Sequence, residues 1–328
     1  MSVHVSQNLS STVTNRHAFV WCHPRDVARF ALDTIVSAMR RNVALLTILL
    51  MLVVILLTGC RSALSHRSDA SDPYPYGSQT PRTTPAFKAP VTVPVNVDPN
   101  LSVPILMYHE VAQHMPGMDA LKLSLLVAPD QFAQQMQYLK DNNFTTITLD
   151  EWMAARTGRS SLPRNPVILT FDDGRLGVYQ NAFPILKRNG QKAILFLISR
   201  EVGRVVKGYL DWSMVREMQN TGLITFGSHT VHHAVLPLLT TQSAMMELSY
   251  SKIVIQRNTG RRCDYFCYPH GKYDARDARL VGLVGYHAAT TEIPGWSRVT
   301  DNPYELRRVR IDGLDSMAVF RAKLGPGG

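Results

Sequence analysis

From residue 103 onward, short apolar runs alternate with longer stretches in which apolar residues recur every three or four positions. The short runs, at 104–108, 145–148, 167–171, 193–198, 223–226, 265–268 and 287–291, have the length and composition of buried strands. The segments between them read as helices. Phe132, Met136 and Leu139 fall on one helical face, and Thr148-x-x-Glu151 forms a capping box. Gly190 and Gly222 stand where helix C-termini should end. Some seven β/α units with no change of composition predict an α/β fold, a single barrel-like domain on a parallel sheet, over 101–328.

The first hundred residues follow another pattern. Arg40 and Arg41 precede an almost unbroken apolar run, 43–57, that ends in Leu57-Thr58-Gly59-Cys60. A basic start, an apolar centre and small residues at the end describe a secretory signal. The run is shorter than the roughly 20 residues of a comfortable membrane span. Its last four residues resemble the lipobox of bacterial lipoproteins, which implies cleavage before Cys60 and a lipid anchor on that cysteine; an uncleaved signal anchor is the alternative. Residues 1–38 are too long and polar for the start of a signal, whereas Met39-Arg40-Arg41 opens one by itself. The expected organisation is therefore an upstream extension (1–38), a lipoprotein signal (39–60) and a tether (61–100) rich in Ser and Pro. Arg61 is not the aspartate associated with inner-membrane retention, so the expected location is the outer membrane, facing the periplasm.

Charge and cysteine content change this picture little. The formal charge is +10, from 35 basic and 25 acidic residues; removing 1–59 takes away five Arg and two Asp and leaves +7. Such a surface suits an anionic envelope, but the basic residues are scattered and none form a nucleic-acid patch. Of the four cysteines, Cys263 and Cys267 would remain beyond Cys60. On one extended strand they would lie ~13 Å apart, out of disulfide reach, and are expected to be free thiols.

The candidate chemistry follows the strands. His109 comes after the first apolar run, Asp172 and Asp173 after the third, His229 after the fifth, and Pro269-His270 after the sixth. In a β/α barrel those strand ends share one mouth. Two adjacent carboxylates repel each other unless a cation or a proton intervenes, although an Asp-Asp-Gly strand-end turn is the plain alternative. His229 and His233 are four apart, a spacing that puts two imidazoles on one face of a helical turn; His232 competes with His233 at the next spacing. With Asp173 they would form a His-His-Asp site with open positions, and zinc suits such a site. Asp172 would then be free to act as base. The turn Tyr268-Pro269-His270-Gly271 can present backbone N–H groups to an oxyanion, and His109 can serve as acid.

Thr170-Phe-Asp-Asp-Gly174, His229-Thr-x-x-His233 and Tyr268-Pro-His-Gly271 resemble the first three motifs of the polysaccharide deacetylases, the NodB-homology or family 4 carbohydrate esterases. The resemblance runs over about 103–311 and includes Pro104-Ile-Leu-Met-Tyr-His-Glu110 and Asn181-Ala-Phe-Pro-Ile-Leu-Lys187. It implies a distorted (β/α) barrel, a divalent metal (zinc, with cobalt or nickel as alternatives) and removal of N-acetyl groups from an amino-sugar polymer of the envelope or exported matrix. It assigns Asp172 as base, Asp173, His229 and His233 as metal ligands, and the His270 N–H as oxyanion donor. The arginine that often braces the base before the third motif is missing, with Cys267 near its place, so Arg175 is the expected brace. No leucine-histidine motif follows Arg310. Tyr108-His109 is similar to the permuted element of the poly-N-acetylglucosamine deacetylase branch, which makes His109 the acid. Trp212 and Trp296 could stack on sugar rings or pack in the core. An O-deacetylase of acetylated xylan and a non-catalytic glycan-binding module are the competing functions.

Overall fold

The computed structural model describes residues 96–325. The expected extension 1–38, the signal 39–60 with Cys60, and 61–95 of the tether lie outside the described residues. Among those described, no helix is long and apolar enough to cross a membrane.

Seven parallel strands form a closed ring: β1 (Ile105–Tyr108), β2 (Pro166–Phe171), β3 (Ala193–Leu197), β4 (Ile224–Ser228), β5 (Tyr265–Cys267), β6 (Ala288–Pro294) and β7 (Leu306–Arg310). The order is β1-β7-β6-β5-β4-β3-β2, and the pairing of β1 with β2, from Ile105↔Ile168 to Tyr108↔Phe171, closes it. The expected count of seven is correct, but one member differs. The run at 145–148 gives only a two-residue strand, Thr145–Thr146, paired to the start of β2 outside the ring. The seventh strand is β7, which sequence pattern missed because three of its five residues are arginines.

Around the ring lie α1 (Ala120–Leu125), α2 (Pro129–Asp141), α3 (Leu149–Arg156), α4 (Phe183–Asn189), α5 (Trp212–Asn220), α6 (Thr241–Thr259), α7 (Ala275–Leu283) and α8 (Met317–Lys323). Phe132, Met136 and Leu139 form the buried stripe of α2 as expected. Thr148 and Glu151 make the capping box of α3, and Gly190 ends α4 in the left-handed conformation.

Strand alternation divides the apolar residues between two clusters. Leu106, Tyr108, Leu169, Phe171, Leu195 and Leu197 face the helices and join Phe132, Met136 and Leu139. Ile105, Ile168, Ile194 and Phe196 point the other way, into the barrel, together with Cys267, Leu306 and Trp152. Each such side chain stabilises the fold by roughly 1.5–3 kcal/mol. The inward register continues to the ends of β2 and β7, so Thr170, Asp172 and Arg308 are also buried there. Cys263 and Cys267 are free, buried thiols, as expected.

Candidate active site

At the end of β2 the chain turns sharply. Asp173 (φ 72°) and Gly174 (φ 73°) are both left-handed, a conformation that Asp tolerates and glycine adopts without strain. A Cβ on Gly174 would come within 2.8 Å of the Leu197 side chain, which would have to shift to admit a larger residue. The turn separates the two carboxylates: Asp172 stays inside the barrel at 1% exposure, while Asp173 leans into the open mouth.

β4 ends at Ser228, and His229 follows in a buried position. The expected helical turn is absent. Thr230 (φ 66°) and His233 (φ 59°) are left-handed, and this reversal, not a helix, brings the imidazoles together with their Nε2 atoms 3.1 Å apart. His229 Nδ1 lies 2.8 Å from the carbonyl oxygen of Cys267. A carbonyl can only accept, so Nδ1 carries the proton and Nε2 offers a lone pair. Burial, and then the neighbouring His229, pull the pKa of His233 down to about 4, which leaves it uncharged at neutral pH. Asp173 Oδ1 is 3.6 Å from His229 Nε2 and 3.5 Å from His233 Nε2.

Two imidazole nitrogens and a carboxylate oxygen therefore converge, an arrangement that calls for a cation. A triangle of 3.1, 3.5 and 3.6 Å has its centre about 2.0 Å from every corner, the length of a zinc bond to nitrogen or oxygen. The donor set fits a divalent metal. His232 does not belong to it: its Nδ1 lies 2.6 Å from Glu247, away from the triangle.

The brace on Asp172 is not Arg175. Arg175 pairs with Glu110 at 3.3 Å and lies over the Tyr209 ring. Arg308 from β7 instead donates to both oxygens of Asp172, at 2.8 and 2.7 Å, and to the Thr291 carbonyl at 2.8 Å. Burial alone would raise the pKa of Asp172, but the adjacent guanidinium outweighs it and holds the carboxyl well below the usual range. Cys267 lies beside this pair, 3.5 Å from Asp172 and 3.2 Å from Arg308. It occupies the place where the bracing arginine was expected, while the guanidinium arrives from the neighbouring side of the barrel.

His109 lines the same cavity, of about 290 Å³, as Asp173, His229, His233 and His270. Burial lowers the pKa of His109, partly offset by Asp172 and Asp173. His270 is left-handed (φ 55°), and its ring stands 4.5 Å from that of His233. A Cβ on Gly271 would meet Glu292 at 2.6 Å, which keeps this turn tight. A second cavity of about 280 Å³ shares His109 and Asp173 and runs on to Glu110, Lys122 and Arg175, so the site opens along a groove. Trp212 and Trp296 line neither cavity. Trp212 packs on the core at the start of α5, and Trp296 does so while donating to the Lys323 carbonyl. A different carboxylate-histidine group, Asp150, Asp264 and His287, sits at the opposite strand ends. It already holds a cation, the Arg262 guanidinium, 2.8 Å from Asp264 and 3.0 Å from His287.

The sequence signature of the polysaccharide deacetylase family matches residues 159–289. A Bacillus subtilis protein provisionally named polysaccharide deacetylase YxkH is 32% identical over 220 residues, 67% of this chain and 75% of that protein. A poly-β-1,6-N-acetyl-D-glucosamine N-deacetylase of Staphylococcus epidermidis is 29% identical over 51% of this chain, which spans 64% of that enzyme. The deacetylase PplD of Streptococcus pyogenes, solved in complex with acetate, superposes with a TM-score of 0.64 at 26% identity, covering 69% of this chain and 100% of that one.

Proposed function

Because the chain belongs to the polysaccharide deacetylase family, we propose that this hydrolase removes N-acetyl groups from an amino-sugar polymer of the cell envelope or exported matrix, using a divalent metal. The supporting observation is the convergence of His229, His233 and Asp173 beside a second carboxylate, Asp172, that an arginine holds ionised. A relative named for poly-β-1,6-N-acetyl-D-glucosamine favours that class of glycan.

In this reading Asp173, His229 and His233 hold the metal, zinc by donor chemistry, with cobalt or nickel suited to the same set. The chemistry supplied with a divalent cation in place is Lewis acidity toward water and toward the acetyl carbonyl. Asp172 accepts the proton of the attacking water; its oxygens stay oriented because Arg308 grips both. The backbone N–H of His270 donates to the oxyanion as the carbonyl carbon becomes tetrahedral. His109 gives a proton to the nitrogen as the C–N bond breaks, so that a free amine and acetate leave.

The same proposal places the enzyme on the envelope. Cys60, after the apolar segment 43–57, carries the lipid anchor, residues 61–100 form the tether, and 101–328 the catalytic domain at the periplasmic face of the outer membrane. Two acyl signals give stable anchoring, whereas one chain binds reversibly.

Acetate release by the zinc-loaded protein from a β-1,6-linked N-acetylglucosamine polymer, chitin oligomers and acetylated xylan tests the substrate class. Release from N-acetylated glycans is expected, and Asp172→Asn should lower it by about 10²-fold or more, the scale of a general base. Release from xylan esters alone would favour an O-deacetylase. No release from any substrate would favour a glycan-binding module.

A further inference from the structure

The loop that brings His229 and His233 together is held from behind by one helix that contributes no residue to the metal triangle. Glu247 and Ser251 stand four residues apart on α6, hence on one face, and both point at this loop. Oε2 of Glu247 accepts from the backbone N–H groups of Val231 at 2.8 Å and His232 at 3.0 Å. Its other oxygen lies 2.6 Å from His232 Nδ1. Ser228, just before His229, donates to Ser251 at 2.8 Å. Glu247 is 4% exposed, so these bonds are made out of reach of bulk water, where losing a partner is costly.

The loop needs such a hold. Thr230 and His233 are non-glycine residues in the left-handed region, and strained backbone of this kind persists only where its surroundings over-determine it. Between Thr230 and His233, one carboxylate binds the backbone N–H groups of Val231 and His232 and the side chain of His232. We propose that Glu247, with His232 as its partner, is a positioning residue that fixes the histidine loop and so sets the affinity of the site for its cation. His232 is part of the scaffold, which accounts for a third histidine that turns its ring away from the triangle. The inference rests on the reading that His229, His233 and Asp173 hold a metal.

The test measures zinc affinity of the full chain by competition with a chromophoric chelator, together with the unfolding midpoint of the metal-free protein. Glu247→Ala is expected to weaken zinc binding by about 10- to 100-fold, the range for residues that orient metal ligands. Glu247→Gln keeps one oxygen for the two backbone N–H groups and should lie much closer to the wild type. His232→Ala removes its side-chain bond to Glu247 but leaves the two backbone bonds, and should weaken zinc binding by a smaller factor than Glu247→Ala. A Glu247→Ala protein that unfolds earlier yet binds zinc within twofold of the wild type would overturn the proposal, because it would make the residue a support of the fold alone. If Glu247→Ala does not fold, His232→Ala carries the test, and unchanged zinc affinity there overturns it equally. Failure of the underlying reading looks different: the wild type itself would bind no stoichiometric zinc, or His229→Ala would bind it as well as the wild type.

Discussion

Asp172 and Asp173 are adjacent in sequence and opposite in circumstance. One is buried against a guanidinium that favours its ionised form; the other shares the open mouth with two imidazoles. A single left-handed turn makes this division of labour possible. His109 is the proposed acid, and burial lowers its pKa, which disfavours the protonated form that an acid needs. His109→Ala should therefore lower turnover on an N-acetylated glycan far more than it weakens substrate binding. Activity on an activated aryl acetate, whose leaving group needs little protonation, should survive better; equal losses on both would move the acid role to another group. Asp172, Asp173 and His229 were legible because they come at the ends of apolar runs read as strands, and His233 because it stands four residues from His229. The partner of Asp172 was not. Arg175 is the nearer arginine in sequence, but the tight turn at Asp173 and Gly174 carries it out toward Glu110.

At the scale of elements, the unread strand and the unread residue are the same omission. Leu306-Arg-Arg-Val-Arg310 looks like exposed chain, because a buried arginine breaks the alternation that marks a strand. The available signal was subtler: Leu306 and Arg308 occupy alternate positions, and a buried carboxylate at the end of β2 requires a buried cation from somewhere. Removing one partner of such a pair leaves an uncompensated charge in the interior. Arg308→Met should cost about 3–5 kcal/mol of stability, and Asp172→Asn added to it should recover a large part, since both charges are then gone. Denaturant unfolding of the single and double variants measures this coupling. Because the pair depresses the pKa of Asp172, its contribution is present above the ordinary carboxylate value of about 3.9 and is lost as pH falls through the depressed one. The coupling should accordingly shrink in acid. Additive losses at neutral pH would contradict the pairing. The histidine loop carries the same lesson, since the i, i+4 spacing was read correctly as proximity and wrongly as a helix; two left-handed residues achieve the approach by another route.

Over the whole molecule, barrel topology was the most legible feature, because parallel β/α alternation fixes which strand ends meet. It gathers residues from His109 to Arg308 at one mouth, beyond the segment 159–289 that carries the family signature. The segment before the barrel bears on where the enzyme works. Cys60→Ser should block lipidation, leaving an exported protein either released or held by its uncut apolar segment. Mass spectrometry of the mature N-terminus decides this: a thioether-linked diacyl Cys60 as first residue supports the anchor, and an unmodified Cys60 within a peptide reaching back through Leu57 contradicts it. In the proposed mechanism the mouth of this barrel holds one catalytic cation. This is tested most directly by acetate release from an N-acetylglucosamine polymer as zinc is titrated into chelator-treated protein. No release is expected without metal, and full recovery at one equivalent of zinc. Undiminished release from protein shown to be metal-free would contradict the mechanism.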